Sequence, residues 1–126
     1  MPAQMFYGPI ELFNKPGYRL SYGYAVSHEA PDGTLVSVIW TDETCPEMCP
    51  GHQRFAALRH AVKLLEDGSL WPDQVTVTCW GGGAGTAAMT GDKAEESYHT
   101  EYTEELQDPA YWERLSAESA SDYDYA

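Results

Sequence analysis

From position 18 onward the chain alternates large apolar residues with small or polar ones. Tyr18, Leu20, Tyr22, Tyr24 and Val26 fall on one side of a period of two, and Arg19, Ser21, Gly23, Ala25 and Ser27 on the other. That spacing predicts a β-strand over 18–28 with its large side chains on one face. Ala30-Pro31-Asp32-Gly33 follows and predicts a turn, because proline presets φ and glycine accepts positive φ. Thr34 to Trp40 is rich in β-branched and aromatic residues and completes an antiparallel hairpin. After a loop broken by Pro46 and Pro50 the period changes. Phe55, Leu58, Val62 and Leu65 recur at helical spacing, widened by Ala61 and Leu64, and predict a helix from Gly51 to Asp67 that stops at Gly68. Trp71-Pro72-Asp73 leads into a third strand, Gln74 to Trp80, with Val75, Val77 and Cys79 on one face. The expected fold class is α+β: a small antiparallel sheet built on a β-β-α-β core, with one main helix packed on it.

The pattern weakens after position 80. Gly81 to Gly85 reads as a flexible connector between a compact domain, residues 1–90, and an acidic segment, residues 91–126. Asp92 to Leu106 fits a polar helix with Tyr98, Tyr102 and Leu106 four apart, and fits an extended arm equally well. Asp108-Pro109 is a helix start, an N-cap with proline at the first position. Tyr111, Trp112 and Leu115 are placed to pack from there onto the sheet, and Ser116 to Ala126 reads as a disordered tail. The first sixteen residues hold at most one short strand or turn around Ile10 to Phe13.

Composition changes this picture at one end of the chain. With 43 % hydrophobic and 13 % aromatic residues in 126, one domain with a real core is expected. No apolar run approaches the roughly 20 residues that span a bilayer, and Met1 to Ile10 lacks the pattern of a signal peptide. The cytoplasm is therefore the expected compartment, which three cysteines with a single close pair also suit. The net charge is −13, and residues 91–126 hold eleven carboxylates against only Lys93 and Arg114. Adaptation to high salt would spread acids along the whole chain, so this concentration points to a dedicated surface or an acidic tail. Such a field repels nucleic acid and anionic membrane and attracts basic protein surfaces.

Chemistry is sparser. Cys45-Pro46-Glu47-Met48-Cys49-Pro50-Gly51-His52 gathers two thiols and an imidazole on one proline-stiffened loop. Zinc wants four such ligands in a tetrahedron, so Cys45, Cys49, His52 and Cys79 form the candidate set, with His60 the other source of a fourth ligand. A Cys45–Cys49 disulfide and plain packing of thiols are the competing readings. Cys49 at a helix start is also a possible nucleophile, but the four histidines allow too many pairings to single out a base. The glycine run lacks the lysine of a phosphate-binding loop. No acid stands at a strand centre, where a ribonuclease H-like site would hold its metals. No enzyme is expected.

The acidic, tyrosine-rich segment carries the functional expectation. Carboxylates along a scaffold imitate the phosphates of a duplex, spaced about 1.7 Å per charge along the axis. Tyrosine supplies flat contact area at low entropic cost. Glu95, Glu96, Glu101, Glu104 and Glu105 form the expected binding surface, with Tyr98 and Tyr102 as its anchors. In size and charge the chain resembles the small acidic inhibitors of defence nucleases, the anti-restriction and anti-CRISPR proteins of phages and mobile elements. That resemblance implies a non-catalytic nucleic-acid mimic on the basic surface of a nucleic-acid-binding complex. The alternative is a small metal-stabilised Cys/His domain with a structural or regulatory role.

Overall fold

A computed structural model describes residues 4–7, 22–41, 45–81 and 86–124. Five strands, β1 (Gln4–Tyr7), β2 (Tyr22–Glu29), β3 (Leu35–Thr41), β4 (Val75–Gly81) and β5 (Thr86–Thr90), form one sheet in the order β1-β3-β2-β4-β5. All four pairings are antiparallel. Three helices, α1 (Pro50–Glu66), α2 (Gly91–Glu101) and α3 (Pro109–Asp124), complete the described architecture, with short 3-10 turns at Pro72–Gln74 and Glu105–Gln107. The fold is α+β, and the expected β-β-α-β core is present.

Its topology follows from the pairings. β3 and β4 both run antiparallel to β2 on its two sides, with Tyr24 opposite Trp40 in one ladder and opposite Cys79 in the other. β3 and β4 are thus parallel to each other, and no tight hairpin can join them. The seventeen residues of α1 supply the crossover. The helix starts at Cys49, whose Sγ accepts the His52 N–H at 3.4 Å, with proline in the first turn. It ends at Gly68, whose φ of +81° is the left-handed conformation that glycine adopts without strain.

The helical stripe read from the sequence is the core. Phe55, Ala57, Leu58, Ala61 and Val62 are buried against Val26, Trp40, Val75 and Val77. Leu58 is fully enclosed. The opposite face of the central strands is buried too: Ala25, Ser37 and Ile39 are at 0 % exposure. Gln53 is the polar member of the buried helix face. Its Nε2 donates to the Met48 carbonyl at 3.3 Å, and its Oε1 has no partner among the described residues.

The C-terminal third differs from expectation in places. The glycine run lies mostly outside the described residues, and the strands on either side of it, β4 and β5, pair antiparallel in one sheet. Trp112, expected to pack on the sheet, stacks on Phe55 of α1, with centroids 5.5 Å apart and planes 18° off parallel. The segment expected as a disordered tail is the continuation of α3 as far as Asp124. The early strand lies at Gln4–Tyr7, ahead of the expected site at 10–13, which is outside the described residues, as are 18–21.

Candidate functional site

Two places merit scrutiny as sites: the outward face of the acidic segment and the loop that opens α1. The acidic segment is anchored by apolar contacts. Ala94, Ser97 and Tyr98 face inward from α2, and Tyr102 follows at its end. Phe55 is the hub. Its ring lies 6.1 Å from Tyr98, 5.4 Å from Tyr102 and 5.5 Å from Trp112. Trp112 also packs against the first turn of α1, where a Cβ at Gly51 would lie 3.1 Å from its ring. Its indole N–H donates to the Leu106 carbonyl. Aromatic pairs of this geometry contribute about 0.5–1.5 kcal/mol each beyond the area they bury.

The two tyrosines expected as anchors for a partner are therefore core residues, 7 % and 5 % exposed. Burial pushes the Tyr102 phenol up to about 12. Tyrosines four apart on a helix suit a core stripe and a binding surface alike, and here the apolar stripe of α1 takes them up.

Glu101 is also engaged. Its carboxylate receives two hydrogen bonds from Arg54, Nε at 2.9 Å and Nη2 at 2.7 Å. The guanidinium also lies 6.0 Å from the Tyr24 ring centre. This bidentate pair joins the end of α2 to α1 and sets a cation where α2 carries its partial negative charge. The Arg54 hydrogen bonds hold the Glu101 carboxyl below its ordinary value.

Glu95, Glu96, Glu104 and Glu105 are exposed, as expected, and Asp92, Asp108 and Glu113 are exposed with them. Lys93 reaches Glu96 at only 3.7 Å with both side chains in solvent. Between positions 91 and 108 the chain has seven carboxylates and one lysine. Once Glu101 is paired with Arg54, six carboxylates on a helix and its following turn share that lysine.

At the opening of α1, the Ser116 hydroxyl of α3 makes three contacts. It accepts the Cys49 N–H at 3.1 Å, donates to Cys49 Sγ at 3.5 Å, and lies 2.9 Å from His52 Nδ1. Burial lowers the His52 pKa, with the Glu113 carboxylate opposing. Ser116 is only 4 % exposed. A hydroxyl so enclosed and so engaged ties α3 to α1, and a nucleophile would need an open approach. Of the candidate zinc ligands, Cys49 and His52 are neighbours at the start of α1, and Cys79 lies in β4 opposite Tyr24. Among the described residues no three His, Cys, Asp or Glu side chains form a metal-binding group. Cys49 and Cys79 are in no disulfide, and Cys45 is buried.

Two residues of these places escaped the sequence reading. Arg54 and Ser116 act through contacts more than forty positions away in the chain, which no local pattern reveals. Trp71, 74 % exposed, stood in plain view as an apolar residue inside a turn. No helix among the described residues is long and apolar enough to cross a membrane. No known family, curated protein or solved structure matches the chain.

Proposed function

We propose that this protein is a non-catalytic binding protein whose acidic face occupies a basic, nucleic-acid-binding surface of a partner protein. The carrying observation is the fixed, outward array of Asp92, Glu95, Glu96, Glu104, Glu105 and Asp108, opposed within that stretch only by Lys93. Like charges held this close repel one another and lower the stability of the free protein. A basic groove relieves that repulsion, as it does for the anions of a duplex. The surface differs from the one the sequence suggested: it is made of carboxylates, while the tyrosines beneath hold them in place. In its most concrete form the protein is an inhibitor, of phage or mobile-element type, that blocks the nucleic-acid channel of a defence nuclease complex.

Affinity capture with the wild type and with a Glu95→Lys/Glu96→Lys/Glu105→Lys variant tests the proposal. The wild type should retain a nucleic-acid-binding protein that added duplex DNA displaces, and the variant should not. Equal capture by both, undisturbed by the duplex, would overturn it.

A further inference from the structure

We infer that the groove beside Trp71 takes the guanidinium of a partner's arginine, so that Trp71, Asp73 and Asp92 form an arginine-specific contact at the end of the acidic face. The inference rests on the acidic-surface reading and refines it. A shallow groove of about 560 Å³ is lined by Trp71, Pro72, Asp73, Gln74, Thr90 and Asp92, with no basic side chain among them. Its aromatic wall is the most exposed large hydrophobic residue among those described, at 74 %. An indole left in water carries a large unsatisfied apolar area.

The backbone that carries the wall is held in place. The Trp71 N–H donates to Gln74 Oε1 at 2.7 Å, and the Gln74 N–H returns to the Trp71 carbonyl at 2.9 Å. Behind the turn, Gly91 is buried so closely that a Cβ there would lie 2.7 Å from the Pro72 carbonyl oxygen. This contact fixes the start of α2 against the turn, and with it Asp92. The Thr90 hydroxyl donates to the Asp92 carboxylate and holds it in the charged form.

Charge complementarity selects the occupant. An indole and two carboxylates lining one groove, with no cation among the lining side chains, suit a planar cation. Arginine can stack on the indole and donate to a carboxylate at once, whereas lysine offers a hydrated point charge. Asp92 belongs both to the groove and to the acidic array, so one partner surface can engage both.

The test is an NMR titration of the full chain with two blocked pentapeptides, acetyl-Gly-Arg-Gly-Arg-Gly-amide and its lysine counterpart. The Trp71 indole signal is assigned by its loss in Trp71→Ala. That substitution leaves the fold intact, because the side chain is in solvent. The arginine peptide should shift the Trp71 indole and the Thr90 and Asp92 amides, and should bind about two- to fivefold more tightly than the lysine peptide. Trp71→Ala should erase that difference. If both peptides bind equally and shift Glu95 to Asp108 but not Trp71, the groove inference is overturned while the acidic-surface reading stands. If neither peptide binds at low salt, both are overturned.

Discussion

Tyr98 and Tyr102 show how one spacing serves two purposes. On a helix, residues four apart share a stripe, and the stripe does not say what covers it. Both rings lie in the aromatic cluster around Phe55, so their loss should be felt in folding. Tyr102→Ala is expected to cost about 3 kcal/mol, in the range of large-to-small core substitutions, as read from urea denaturation. An undiminished unfolding midpoint would return Tyr102 to the surface. Its phenol also predicts a pH dependence. The folded protein holds that proton up to about 12 against an ordinary 10.0, so the unfolded chain loses it first. Stability from this group is therefore complete below pH 10.0 and declines as pH rises toward 12. Denaturation curves across that window should slope downward, and Tyr102→Phe should flatten the slope.

At the level of elements, much of the architecture was legible in the sequence. The period of two over Tyr22 to Val26 and the helical stripe from Phe55 to Leu65 gave β2 and α1, because each alternation of large apolar with small or polar residues is spelled out locally. β5 was not legible: Thr86-Ala87-Ala88-Met89-Thr90 has little strand propensity, and pairing with β4 supplies what propensity lacks. The attachment of α2 was hidden for another reason. It depends on Arg54, forty-seven positions from Glu101, and on the close approach of Gly91 to Pro72. The ion pair is partly in solvent, with side chains 27 % and 42 % exposed, so Arg54→Met should cost only about 1 kcal/mol. Its pH dependence has the opposite sense to that of Tyr102. The Glu101 carboxyl is lowered in the folded state, so its contribution is present above the ordinary 4.5 and fades as pH falls below it. Thermal unfolding of wild type and Arg54→Met should converge in acid. Gly91→Ala should act more severely, since the added methyl meets backbone and not a mobile side chain. Its mark would be loss of amide-exchange protection in α2 ahead of the central strands.

For the whole molecule the charge distribution decides most. The net −13 is visible in the composition, and so is its concentration after position 90. Which carboxylates face outward was only partly visible. Glu95, Glu96, Glu104 and Glu105 do, while Glu101, though exposed, is engaged by Arg54. Of the zinc ligands read from the Cys45–His52 loop, Cys49 and His52 meet at the start of α1 while Cys79 lies in β4, and nothing in the order of residues along a chain reports that placement. Single charges on such a face are screened and contribute little each, so Glu95→Gln alone should change affinity by less than about fivefold, chiefly through the association rate. Surface plasmon resonance on a captured partner would show this, and a large change in dissociation rate would instead mark Glu95 as a buried contact.

The most direct measurement of the central claim is an equilibrium competition at low and at raised salt. The captured partner is loaded with a labelled duplex and titrated with this protein or with the Glu95→Lys/Glu96→Lys/Glu105→Lys variant. The account predicts that the wild type displaces the duplex stoichiometrically, less well as salt rises, and that the variant leaves it bound. Partner, protein and duplex bound together in one complex, with no competition at either salt, would contradict it.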